Sequence, residues 1–83
     1  MNRDEVFAEL TDIFRNNFDD DSIELSDDTA SADIEGWDSM EQVNLLVIIQ
    51  ERFKIKFNIE QINAMKNVGE MANYILQKVN ESL

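Results

Sequence analysis

Three stretches of this chain place apolar residues at helical spacing, and that pattern points to a fold of helices packed on helices. In residues 4–17 the stripe is Val6, Phe7, Leu10, Ile13 and Phe14, extended by Phe18. Asn2 and Glu5, three apart, form an N-terminal capping pair for it. The second helix is expected from residue 39 to 53 or 54, with Val43, Leu45, Leu46, Ile49 and Phe53 on its buried arc. Asn67, with Glu70 three residues on, caps a last helix whose stripe is Val68, Met71, Ala72, Ile75, Leu76 and Val79. Gly69 in its first turn permits a close approach. Between these, residues 59–64 suit one short helical turn with Ile59 and Ile62 facing inward. The expected architecture is all-α: a four-helix bundle of three longer helices and one short one, in a single domain over residues 1–83.

The connection 19–36 is long for a compact domain, and long loops are often functional. It has no Pro, and its one Gly stands at its end, so Asp, Ser and Thr must supply its turns. Ile23, Leu25 and Ile34 are expected to pin it to the core. Residues 22–25 could form a short strand, yet no partner strand is evident. An EF-hand frame begun at Asp19 puts Glu24 where Gly is needed and Ala30 at the bidentate position. A frame begun at Asp27 puts Ala32 at the Gly position, so no metal site is assigned.

Several chemistries are closed to this chain. It has no Cys and no His, which removes disulfides, thiolate metal sites and a Ser-His-Asp triad. The longest apolar run, 45–49, falls far short of a membrane span, and the first residues lack the apolar core of a secretion signal. A cytoplasmic chain without membrane insertion is expected. Charge is more informative once located. Of 18 acids and 7 bases, 11 acids and no base lie between Asn16 and Glu51, so the remaining 7 acids and 7 bases cancel. Such a surface repels nucleic acid and steers partners with basic patches toward the middle of the chain.

At that middle stands Glu35-Gly36-Trp37-Asp38-Ser39-Met40-Glu41. Asp38 is a suitable N-cap, with Glu41 three residues on to close a capping box. Ser39 then lies on the first turn, its hydroxyl outward and the positive end of the helix dipole beneath it. A phosphate there would be favoured by about 0.3–1 kcal/mol. On the far arc of the same helix, Met40, Val47 and Ile48 lie with Glu41, Asn44 and Glu51. Apolar residues grouped beside acids suit a contact strip for partners.

Asp-Ser-Met opening the second helix of a small acidic chain resembles the attachment motif of acyl carrier proteins of the discrete, stand-alone type. The likeness runs from Val6 to Ile75 without a gap after Ser39. It implies that Ser39 carries 4′-phosphopantetheine as a covalent cofactor, donated from coenzyme A by a phosphopantetheinyl transferase. Asp38 would help present Ser39 and hold the transferase's metal. It also implies that acyl-loading and acyl-transfer enzymes read the second helix, that acyl groups ride as thioesters on the arm, and that the protein is a monomer catalysing nothing itself. Fatty acid and polyketide biosynthesis are the pathways such carriers serve. Asn44, Gln50 and Arg52 depart from the acids that fatty-acid carriers often place there. Carriers of aminoacyl groups, such as D-alanyl carriers, share a similar motif, and an unmodified interaction module could keep the fold.

The cargo cleft implied by the resemblance is lined by Leu46, Ile49, Ile62, Met65 and Met71. At Ile62 and Met71 fatty-acid carriers commonly have alanine, so the larger side chains are expected to fill the interior and favour short or polar cargo held outside it. Trp37 could offer that cargo a flat surface or plug the end of the core.

Overall fold

A computed structural model describes residues 1–81, without the side chain of Ile59, so the expected inward placement of Ile59 lies outside the described residues. Four α-helices follow one another: α1 (Arg3–Phe18), α2 (Ser39–Phe53), α3 (Ile59–Asn63) and α4 (Val68–Glu81). Among the described residues there is no strand, and 22–25 is irregular loop. The long connection carries a 3-10 turn, Ser31–Asp33, that the sequence pattern did not suggest.

Helix α1 lies against both α2 and α4. Its stripe is buried as expected: Val6, Leu10 and Phe14 have no exposed surface, and neither have Leu45, Ile49, Val68, Ala72 and Ile75. Fully burying each such side chain stabilises by about 1.5–3 kcal/mol, so this shared interior dominates the folding energy. Helices α1 and α2 also stop for a local reason. Asp19 and Lys54 end α1 and α2 in the left-handed conformation, at φ 50° and 57°. Their N–H groups bond back to the carbonyls of Arg15 and Gln50.

The expected buried arc of α2 holds for Leu45, Leu46, Ile49 and Phe53 and fails at Val43. Val43 is 62% exposed, whereas Ile48 is half-buried against the core. At ~100° per residue, the buried set Leu45, Leu46, Ile49 and Phe53 is centred near Ile49 and Phe53, and Val43 and Ile48 lie to either side. Which of the two is covered depends on where α1 sits. Glu41, Asn44 and Arg52 all hydrogen-bond to α1, and Ile48 shares that side of the helix.

The acidic connection is held by its own side chains and by α4. Ser22 donates its backbone N–H and its hydroxyl to Asp20 Oδ1, at 2.9 and 2.5 Å. Those two bonds hold the Asp20 carboxyl below its ordinary range, the hydroxyl contributing most. Ile23 is buried, with Leu25 and Ile34 packed on the core. Buried Thr29 takes the N–H of Ser26 on its hydroxyl and that of Val68 on its carbonyl, both at 2.8 Å. One residue on, Gly69 N–H bonds to the Asp27 carbonyl at 3.0 Å. A Cβ at Gly69 would stand 2.7–3.0 Å from Asp27 atoms, which is why a side chain is excluded there. Arg3 closes the latch, bonding to Asp27 and, at 2.9 Å, to Asn73 Oδ1.

The second connection is similarly anchored. Gln50 Oε1 accepts the Phe57 N–H at 2.9 Å, and the buried Tyr74 hydroxyl accepts that of Asn58 at 3.0 Å. Asn58 in turn caps α3, and Asn67 caps α4 by taking the Glu70 N–H at 2.9 Å. These bonds set where α3 hangs beside α2.

Candidate functional site

The site is built around the first turn of α2. Asp38 stands outside the helix in extended backbone, and its Oδ1 accepts the Glu41 N–H at 2.9 Å. Asp38 O takes the Gln42 N–H, also at 2.9 Å, as the first helical bond. The expected capping box does not close. The Glu41 carboxylate turns to α1 and accepts a bond from Asn17 Nδ2 at 2.7 Å, while Asn44 Nδ2 bonds Asn17 Oδ1 at 2.6 Å. The Asp38 N–H uses the Gly36 carbonyl instead, at 3.1 Å.

Trp37 fixes this corner to the interior. Its ring stands edge-on to Phe14, centroids 5.0 Å apart at 82°, and its Nε1 donates to Gln42 Oε1 at 2.7 Å. Gly36 precedes it at φ +89°, a conformation other residues rarely adopt, with the Phe18 ring close by. The backbone is therefore held on both sides of Asp38. Ser39, the first helical residue, is exposed, and its hydroxyl has no hydrogen-bond partner among the described residues. A nucleophilic oxygen held free of internal bonds over a helix N-terminus is suited to bearing a phosphoryl group.

Beside Ser39 opens a groove of about 570 Å³. Trp37, Asp38, Gln42 and Val43 line one wall, and Ile62, Asn63, Met65, Lys66, Asn67 and Met71 the other, with Ala30 and Ser31 of the acidic connection at one end. Of the residues assigned to the cargo cleft, the structure brings Ile62, Met65 and Met71 together here. Leu46 and Ile49 are not among its lining residues and belong to the interior. Val43, read from sequence as core, is a wall of the groove because α1 covers the opposite side of α2. Trp37 packs edge-on against Phe14 at the end of the core and also lines the groove. Lys66 and Gln42 carried no signal in sequence, since their place depends on how α3 meets α2.

The assigned partner strip is also redistributed. Met40, at 79% exposure, and Val47, at 49%, stand on the open side of α2 and are joined there by Val43. Glu51 is exposed, Ile48 is not on that strip, and Glu41 and Asn44 face Asn17.

A helical bundle with a long acidic connection, a groove and a free serine at the start of α2 defines a carrier-type fold, and comparisons with known proteins agree. The family described as Phosphopantetheine attachment site matches residues 5–75. An acyl carrier protein of Clostridium acetobutylicum is 30% identical over 70 residues, covering 84% of this chain and 91% of that protein. One from Guillardia theta is 28% identical over 79 residues, covering 95% and 98%. The solution structure of holo acyl carrier protein from Geobacter metallireducens superposes with a TM-score of 0.87 at 40% identity, covering 93% of this chain and 88% of that one.

The chain belongs to the phosphopantetheine-attachment-site family. It is an acyl carrier, with phosphopantetheine as its covalently attached group and partner enzymes as its clients. Among the described residues no helix is long and apolar enough to cross a membrane.

Proposed function

We propose that Ser39 Oγ is the atom that bears the arm. The observation that carries this reading is the exposed, unpartnered hydroxyl at the first position of α2, held by the Asp38 cap and opening on the groove. In the transfer, Ser39 Oγ bonds to the phosphorus of the pantetheine phosphate in coenzyme A. The phosphoanhydride breaks, adenosine bisphosphate leaves, and the serine proton passes to the separate transferase. The groove's mix of Trp37, Val43 and Met65 with Asn63 and Lys66 suits an extended arm of methylenes, amides and a phosphate. When bound, that arm supplies the thiol for a thioester, which a chain without Cys lacks.

The chain's own residues present rather than transform. Asp38 holds the turn that displays Ser39 and has a second carboxylate oxygen for the transferase's metal. Met40, Val43 and Val47 offer an apolar strip of about two helical turns beside the attachment point, inside a surface rich in acids. That combination favours enzymes whose docking faces place Lys and Arg around an apolar centre. We read residues 1–83 as one carrier unit on the same grounds.

The test is intact mass after incubation with coenzyme A and a broad-specificity phosphopantetheinyl transferase. The wild type is expected to gain one phosphopantetheine, and Ser39→Ala to gain none while keeping its helical circular dichroism. Modification of the alanine variant would move the site elsewhere.

A further inference from the structure

The groove beside Ser39 has a floor made of two residues that also belong to the core. Ile62 is 1% exposed and Met71 3%, yet both line the groove. Leu46 and Ile49 are buried in the same core and are not among the groove's lining residues. Resting on the reading of Ser39 as the attachment point, we infer that this carrier holds its acyl group in the surface groove and is selective for short chains, with Ile62 and Met71 as the residues that set the limit.

Three observations carry this. First, the space is outside the bundle: it opens to solvent from a closed floor, so a longer chain gains room only if the floor moves. Second, the floor is stiff at one of its two points. Ile62 is β-branched and sits in α3, a helix of five residues, capped by Asn58, which is itself bonded to Tyr74. Met71 is the more pliable of the pair, but it stands on α4 one turn from the latch that ties Val68 and Gly69 to the acidic connection. Protein interiors pack as densely as organic crystals, so displacing either side chain disturbs its neighbours. Third, the groove's lining is mixed: Val43, Met65 and Trp37 share it with Gln42 and Asn67. Besides Val43 and Met65 its lining includes the exposed Asn63 and Lys66, where extra methylenes would meet polar groups and water. A chain therefore gains by burial over its first few carbons and nothing thereafter.

The experiment loads the carrier with acetyl, butyryl, hexanoyl, octanoyl and decanoyl groups through amide-linked coenzyme A analogues, verifies each by intact mass, and measures Tm and amide exchange. In the wild type Tm is expected to rise from acetyl to butyryl and level off by hexanoyl. Exchange at residues 62 and 71 should be the same for octanoyl as for butyryl. Met71→Ala removes half of the floor. Its unloaded Tm should fall by ~10–30 °C, and its Tm should climb with chain length through decanoyl as the chain fills the vacated space. Ile62→Val, a smaller change that keeps the fold secure, should move the plateau by one step. A wild-type Tm that climbs through octanoyl and decanoyl, with slowed exchange at residues 62 and 71, would show that the interior opens and overturn the proposal. A Met71→Ala carrier that folds and still levels off at hexanoyl would remove Met71 as the limiting residue and overturn it as well. Failure to gain the loaded mass would instead refute Ser39 as the acceptor. The same acyl-pantetheine series attached to the single thiol of Ser39→Cys then still reads whether the floor opens.

Discussion

Helices α1 and α2 begin with the same instruction and end differently. Each has an Asx residue followed three positions later by Glu. At α1 the box closes: Asn2 Oδ1 takes the Glu5 N–H at 2.9 Å, and Glu5 Oε1 takes the Asn2 N–H at 3.0 Å. At α2 only the first half forms, and Glu41 leaves for Asn17. The first start is exposed, and its glutamate bonds back to its own cap. The second lies across from the last turn of α1, whose Asn17 is half-buried and can bond both Glu41 and Asn44. A box satisfies its own backbone and is complete. An open one hands its acid to a neighbouring helix, ties the start of α2 to α1, and leaves Ser39 beside a groove instead of a bare helix end.

The strongest test of that comparison moves the acceptor. Arg3 holds in α1 the position that Ser39 holds in α2. In the double variant Ser39→Ala with Arg3→Ser, a serine follows an Asx cap away from the groove that Ser39 borders. No phosphopantetheine is expected by intact mass, a complete loss relative to wild type. Gain of the arm at residue 3 would mean that a capped serine suffices.

Cap removal should follow in size. Asp38→Ala and Asn2→Ala each delete a side-chain acceptor, and each should cost about 1 kcal/mol, or ~4–8 °C in Tm. The two should part in function: modification slows in Asp38→Ala and is unchanged in Asn2→Ala. Similar modification rates would remove Asp38 from the presenting role.

A smaller effect separates the closed box from the open one. A double-mutant cycle on Asn17 and Glu41 should return a coupling of about 0.5–1.5 kcal/mol, while a cycle on Asp38 and Glu41 side chains should return a smaller one. Charge reversal at Glu41 should also slow modification more than reversal at Glu81, which lies outside the acidic segment, and the gap should shrink as salt screens exposed charges. Equal slowing by both would reduce the charge to a solubility feature.

The smallest effect lies in the latch near the start of α1. The hydrogen bond from Arg3 holds the Asp27 carboxyl below its ordinary range, with the charge of Arg3 adding to it. A carboxyl lowered in the folded state contributes stability above its unfolded pKa, and loses it as pH falls through the folded one. Tm should therefore drop slightly more steeply below the carboxylate range in wild type than in Asp27→Asn, with no difference near neutrality in slope. Both groups are solvent-exposed, so the difference is modest.

How much of this was written locally is seen in particular residues. The stripes of α1 and α4, the caps Asn2, Asp38 and Asn67 and the helix start at Ser39 all follow from interactions within a turn or two, which sequence spacing encodes directly. The serine, its cap and the helix dipole beneath it are in that group, which is why the proposed attachment motif is legible in the sequence. What the chain could not declare by itself is which side of α2 the first helix would cover. That placement exchanges Val43 for Ile48, diverts Glu41 from its box to Asn17, and adds Gln42 and Lys66 to a groove that local periodicity does not describe. It was settled by packing between segments far apart in sequence, where the energy depends on shared burial and on partners such as Asp27 with Gly69 or Asn58 with Tyr74, none of which a spacing rule can see.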